Sequence, residues 1–192
     1  TKSATAPSSP SEGDMWFNTS TSEVSGVSTK ALAVYNGTVW NESTVGNVFS
    51  ATGGTVGTSG AYTVHTFNVS GTFTPNKSGT VDYFILAGGG GGGNSGNGGG
   101  GGAGGLLTAT GHSVTAQGYT VTVGAGGAVD TQGGTSSAVG ISTVGGGYGG
   151  KGSTNPSSGG SGGGGGTSTN GGSATASQGY DGGNGSTTAD GY

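Results

Sequence analysis

Gly88-Gly89-Gly90-Gly91-Gly92-Gly93-Asn94-Ser95-Gly96-Asn97-Gly98-Gly99-Gly100-Gly101-Gly102-Ala103-Gly104-Gly105 is the stretch whose conformation decides the fold. It follows directly on Val81-Asp82-Tyr83-Phe84-Ile85-Leu86-Ala87, an apolar run that reads as one fully buried strand. Glycine loses more conformational freedom on ordering than any other residue. The segment is therefore either floppy or held by dense backbone hydrogen bonding, and the rest of the chain has to decide between the two.

Of 192 residues, 28% are hydrophobic and 6% charged, which makes for a thin conventional core. Glycine supplies 52 residues and proline 4, a share that without a strict period marks low complexity or disorder. The distribution argues against disorder. Only 10 glycines fall in the first 87 residues and 42 in the remaining 105, which places an architectural boundary near Ala87. The tracts are also entered from β-prone runs: Val81 to Ala87, then Tyr119-Thr120-Val121-Thr122-Val123 before Gly124, then Ser136 to Val144 before Gly145. A floppy tract has no reason to begin with a strand each time.

The basic residues are four lysines with no arginine, against eight scattered acids, for a net charge of -4. No basic patch exists to neutralise phosphates, so nucleic acid is not an expected partner. The absence of cysteine excludes disulfides, zinc thiolates and iron–sulfur clusters. The longest apolar run, Tyr83 to Ala87, is far too short to cross a bilayer, and Thr1 does not open a secretory leader, so membrane insertion is not expected. The chain starts without Met, compatible with a missing leading segment.

Before the glycines, Thr1 to Ser11 with Pro7 and Pro10 reads as an extended arm, and Gly13-Asp14-Met15-Trp16-Phe17-Asn18 starts a strand. Leu32-Ala33-Val34-Tyr35-Asn36-Gly37-Thr38-Val39-Trp40 predicts a hairpin with a type I′ turn at Asn-Gly. Trp16, Phe17, Tyr35 and Trp40 are more aromatic surface than one hairpin buries, so they are candidate assembly contacts, the alternative being a small core of their own. The pattern P-x-x-P-x-x-G-D-x-W-F-N from Pro7, followed by V-Y-N-G-x-x-W ending at Trp40, resembles a short module that recurs in bacteriophage tail-fibre and other virion proteins. Here Val24 to Lys30 lengthens the link between its halves.

Val45 to Tyr62 reads as a loop or weak strand. Thr63 to Ser70 alternates with period two, Gly71 to Gly79 turns the chain, and Thr80 to Ala87 enters as a central antiparallel strand. The expected domains are thus a β-hairpin attachment module over 1–47 and a glycine-rich domain over 48–192, with strands in 63–87 and glycine tracts in 88–192. The fold class is mainly β with no significant helix. The ordered blocks from Phe67 onward, poly-Gly, Gly-Ala-Gly-Gly-Leu-Leu, Tyr-Thr-Val-Thr-Val-Gly-Ala-Gly-Gly and Gln178-Gly179-Tyr180-Asp181-Gly182-Gly183, resemble the glycine-rich domain of phage tail-fibre and adhesin proteins. That resemblance implies polyglycine II helices packed side by side, a trimer, and more glycine blocks beyond Tyr192. The physics is compatible: an extended helix of three residues per turn makes no internal hydrogen bonds and turns its backbone groups outward, where only glycine lets neighbours approach.

Catalytic patterns are weak. Gly88, Gly90 and Gly93 satisfy G-x-G-x-x-G after a strand, but no helix and no acid at the required distance follow. Gly145 to Gly150 with Lys151 mimics a phosphate loop, yet Gly152 stands where the Mg²⁺-binding Ser or Thr belongs. His65 reads as a strand residue and His112 as a loop residue, far apart and without carboxylate partners; Glu12 and Asp14 are neighbours in an arm. No enzyme, no cofactor and no metal is expected. Surface recognition remains, with Tyr148, Lys151, Tyr180 and Asp181 set among glycines, where an aromatic has little core to enter. They are either displayed to a partner or cover a neighbouring tract or subunit.

The expectation is a bacteriophage virion protein, a tail-fibre or spike component, forming a homo-oligomer, touching other virion proteins and presenting a surface to a host protein or glycan. The alternatives are a capsid or tail connector without receptor binding, and an ice-binding or matrix protein. The Thr residues of the second half lack the regular three-residue spacing the last would need.

Overall fold

A computed structural model describes residues 1–43, 48–94 and 96–186, and divides the chain into two compact units, Thr1–Val48 and Phe49–Tyr192. All thirteen regular elements are strands, and no helix occurs among the described residues.

The first unit is one sheet of β1 (Lys2–Ser3), β2 (Met15–Asn18), β3 (Leu32–Tyr35) and β4 (Trp40–Glu42), in that spatial order. Only β1 and β2 run parallel. Alternation along β2 and β3 sends Trp16 and Ala33, cross-strand partners, to the buried face, where they join Val27 and Trp40. The Trp16 and Trp40 rings meet edge to face at 5.5 Å, and the Trp16 indole N–H donates to Ser3 Oγ and O. The inserted segment closes this core from above: Val27 is fully buried, and the buried Asn18 amide holds the loop by donating to the carbonyls of Ser22, Val27 and Ser28.

The predicted hairpin is present, but its turn is not type I′. Pairing resumes at Tyr35↔Trp40, leaving four residues in the loop. Gly37 alone takes a left-handed φ, +91°, while Asn36 Oδ1 accepts the N–H groups of Thr38 and Val39. A two-residue turn would have put Thr38 opposite Tyr35; the longer loop puts Trp40 there, 5.3 Å from the tyrosine ring.

The second unit begins with β5 (Ala51–Thr52), β6 (Thr55–Ser59), β7 (Tyr62–Thr66), β8 (Gly71–Pro75) and β9 (Gly79–Leu86). It continues with β10 (Leu106–Val114), β11 (Tyr119–Val121), β12 (Ser136–Ala138) and β13 (Ile141–Thr143). These form a three-stranded sheet β11-β8-β5 and three antiparallel pairs, β6–β7, β9–β10 and β12–β13. Phe73, Val114, Val121 and Val139 are its buried core, with Phe67, Val81 and Tyr83 packed against them.

Three expectations need correction here. The stretch expected to turn the chain, Gly71 to Gly79, is mostly strand, since Gly71–Pro75 is β8, paired with both β5 and β11, and residues 76–78 alone connect it to β9. The run from Val81 is neither fully buried nor central: β9 pairs with β10 alone, and its side chains alternate, with Ile85 buried while Phe84 and Leu86 face out. His112 is a strand residue, because β10 pairs with β9 along its whole length, around a bulge where Gly111 takes φ +68° and donates its N–H to Asp82. Of the stretch expected to be a loop or weak strand, residues 45–47 lie outside the described residues, and the remainder contains β5 and β6.

The glycine tracts are ordered, and their bonds repeat every third residue. The N–H groups of Ala87, Gly90 and Gly93 donate to the carbonyls of Gly105, Gly102 and Gly99; those of Gly105, Gly102 and Gly99 donate in turn to Val144, Gly147 and Gly150. Gly88 and Gly91 donate to Gly134 and Thr131, while Gly89 and Gly92 accept from Gly127 and Asp130. Tract 87–93 is thus bonded laterally to several neighbours at once, as extended helices of three residues per turn require and a flat sheet cannot provide. The second half is a polyglycine-II-type bundle held by amide–carbonyl bonds.

Candidate functional site

Close approach is what demands glycine here. A Cβ added at Gly90 would lie 2.1 Å from the Gly147 oxygen, and one at Gly91 1.8 Å from that of Ala128. Positions turned away from neighbours accept side chains: Ala103 falls three residues after Gly100, where a Cβ would meet nothing within 4 Å. Large side chains therefore appear mainly on the bundle's outside and at its ends, while Ser157 and Gln178 reach between tracts to accept backbone N–H groups, and the outside and ends are the places where this half of the molecule can meet a partner.

Bond direction shows which ends lie together. Gly93, Gly99, Gly150 and Gly164 form one chain of hydrogen bonds, N–H to C=O, across four tracts, so they share a level. Just beyond that level lie Asn94, the turn Lys151–Thr154 closed by reciprocal bonds of 3.1 and 2.8 Å, and the turn after Gly166. Asp130 ties this end together. Its carboxylate accepts the Asn94 N–H at 2.7 Å and the Lys151 ammonium at 3.1 Å. The backbone bond from Asn94, and after it the Lys151 ammonium, hold the Asp130 carboxyl below the usual aspartate range.

The structure distributes the four candidate recognition residues as follows. Lys151 stands at the tied end, paired with Asp130. Tyr148, one tract turn earlier, is half-buried, its N–H donating to Ser157 Oγ and its C=O accepting the Ser157 N–H. Tyr180 lies on the tract parallel to 162–168, its C=O accepting from Gly162, and its side chain is 87% exposed. Asp181 is engaged locally, accepting the Ala174 N–H. Tyr180 is thus displayed, Tyr148 is partly covered, and the two charged residues are pinned. Asp130 was missed in the sequence, where nothing connects it to Asn94 or Lys151, 36 and 21 residues away.

In the first unit, Trp16 and Trp40 fill the core while Phe17 and Tyr35 keep partial exposure. The two histidines pack structurally: His65 Nδ1 bonds the Gly53 carbonyl with its ring edge-on to Phe73, and His112 Nε2 bonds the Val139 carbonyl beside Tyr83. No three His or acidic residues come together as metal ligands among the described residues. An open cleft of about 830 Å³ lies in the second unit, lined by consecutive residues Val81 to Leu86 of β9 and by Val64, Phe67, Phe73, Val121 and Val139.

A family model described as a glycine-rich domain matches residues 66–192. No curated protein and no solved structure matches the chain.

Proposed function

The chain belongs to the glycine-rich domain family, and from that premise we propose that it is a structural protein of the bacteriophage virion, a tail-fibre or spike component that displays a recognition surface to the host. The observation that carries this reading is the bundle itself: lateral backbone bonds at every third residue make a rigid body whose large side chains lie mainly on its outside and ends. Such a body is suited to holding a few residues in fixed positions. Tyr180, exposed on a tract that cannot bend away, is the kind of rigid aromatic that contacts a glycan ring or a surface loop at little entropic cost. The phage assignment leans on the resemblance of the segment from Pro7 to Trp40 to a virion module.

Adsorption tests it. The labelled full chain, incubated with a panel of bacterial cell types, is expected to bind a restricted subset, and Tyr180→Ala is expected to weaken that binding at least tenfold. Equal binding to every cell type, or none to any, would remove the recognition role. A connector is the second reading, favoured by the open face of the first sheet, where cross-strand partners Met15 and Val34 are exposed. It predicts that the chain binds phage particles and no cells.

A further inference from the structure

We propose that the turn between β3 and β4 is a self-modifying site, at which Asn36 loses its side-chain amide as ammonia and becomes aspartate or isoaspartate. The sequence holds four Asn-Gly pairs, beginning at Asn36, Asn97, Asn170 and Asn184. Glycine leaves the following backbone nitrogen open to approach by the asparagine side chain, so all four have the reacting groups, and the fold decides which pair uses them. At Asn36 the fold arranges the reaction. Its Oδ1 accepts the N–H of Thr38 at 3.0 Å and of Val39 at 2.9 Å, which closes a ring around Gly37 and folds the side-chain amide back over the Gly37 peptide. No acceptor among the described residues takes the Gly37 N–H, and residues 36–39 are all exposed to water.

Attack of the Gly37 nitrogen on Asn36 Cγ forms the N–Cγ bond and moves charge onto Oδ1, where two N–H groups already point. Donors aimed at a developing oxyanion stabilise it more than they stabilise the neutral carbonyl, because hydrogen bonds to charged groups are the stronger. The Cγ–Nδ2 bond then breaks, and the proton given up by Gly37 leaves, by way of solvent, on the ammonia. Water opens the succinimide at either carbonyl, giving aspartate or, with one more methylene in the main chain, isoaspartate. Either product adds a carboxyl group beside Glu12, whose Oε2 would stand 3.8 Å from a Cβ at Gly37. Isoaspartate also lengthens the four-residue loop that pairs Tyr35 with Trp40. The other pairs lack this arrangement. In the bundle the attacking groups are engaged, the Gly171 N–H by Asn184 Oδ1 and the Gly185 N–H by the Thr169 carbonyl. A Cβ at Gly171 would lie 1.8 Å from the Gly182 oxygen, so that tract has no room to shift. Asn97 is exposed in a turn, and no donor among the described residues meets its side chain.

The full chain, incubated at neutral pH either folded in buffer or unfolded in urea, tests this when conversion at each asparagine is followed by peptide mapping and mass spectrometry. Folded Asn36 should convert about fivefold faster than unfolded Asn36, the margin of a charge-assisted hydrogen bond over a neutral one. Asn170 and Asn184 should convert about tenfold more slowly in the folded chain than in the unfolded one, because their tracts must part first. Thr38→Pro removes one donor and should slow folded Asn36 about twofold relative to its own unfolded rate, with tryptophan fluorescence reporting an intact first unit. Folded Asn36 converting no faster than unfolded Asn36, or being outpaced in the folded chain by Asn97, Asn170 or Asn184, would overturn the proposal. So would a Thr38→Pro protein, folded, whose Asn36 rate is unchanged. The comparison of folded with unfolded chain needs no variant, and it decides the matter whether or not Thr38→Pro folds.

Discussion

Gly89 and Gly90 are adjacent and chemically identical, yet their positions in the bundle set opposite requirements. A Cβ at Gly90 would fall 2.1 Å from the Gly147 oxygen; at Gly89 the nearest atom would be the Gly102 oxygen at 3.7 Å, ordinary van der Waals distance. Gly90→Ala must push two tracts apart and weaken the bond from Gly90 to Gly102, so a loss of about 2–4 kcal/mol is expected from overpacking plus a hydrogen bond. Gly89→Ala meets no such obstacle and removes freedom from the unfolded chain, for a gain of about 0.4–1 kcal/mol. Urea midpoints of the two full-length variants check this, and coincident midpoints would mean the tracts are not in close contact. At the tied end, the hydrogen bond from Asn94, and secondarily Lys151, favour ionised Asp130 in the folded state. A depressed folded pKa means the stabilisation is complete above the ordinary aspartate value and is lost as pH falls through the depressed one. The Asn94 amide proton should therefore titrate with a midpoint below about 3.9, and Asp130→Asn should flatten the curve.

The elements of the first unit depend on one amide as much as on the two tryptophans. Asn18 Nδ2 reaches three carbonyls at 3.0–3.2 Å while its Oδ1 accepts the Ser20 N–H, holding the loop that delivers Val27 to the core. Asn18→Leu keeps the branched shape and strands those carbonyls, so it should destabilise the unit by about 1–3 kcal/mol. Tryptophan fluorescence during denaturation reads this directly, since Trp16 and Trp40 both lie there; an unshifted midpoint would assign the loop's order to packing alone. Much of this unit was legible in the sequence: Met15 to Asn18 as a strand and Leu32 to Trp40 as a hairpin follow from alternation and Asn-Gly. Val27 was not, because a lone Val in a Ser-rich loop carries no periodicity, and its burial depends on a side chain nine residues away. In the second unit, apolar residues at consecutive positions made β9 look buried on both faces. Periodicity reports which residues are apolar, and it is the number of strand partners, one for β9, that decides whether both faces are covered. Of the candidate site, the glycine surroundings of Tyr180 left open whether it is displayed or covers a neighbouring tract or subunit, and the Asp130 tie depends on which tracts are neighbours. Tracts of one residue type give no pattern from which to read that.

Across the molecule the two units bury different kinds of surface, and that difference is measurable. The first unit removes indole rings and aliphatic groups from water, and its unfolding should show an ordinary heat-capacity increment. From Gly88 onward the bundle sequesters mainly peptide groups, bonded tract to tract, with few side chains between them. Exposing apolar surface raises heat capacity by about 0.45 cal/K/mol/Å², while exposing polar surface lowers it by about 0.26, so the two contributions largely cancel when a glycine bundle melts. Calorimetry of the full chain should resolve a transition without fluorescence change, belonging to the second unit, whose increment per residue falls well below the roughly 12–15 cal/mol/K usual for globular proteins. The same amides should be protected from deuterium exchange at every third position facing a neighbouring tract, because each such bond opens only when the tracts part. A normal increment would mean that apolar burial in the β9–β10 region dominates the unit's stability. The absence of any second transition, with rapid exchange through the tracts, would mean that the amide bonds do not hold the bundle together in solution, and with them would go the rigidity on which display of Tyr180 depends.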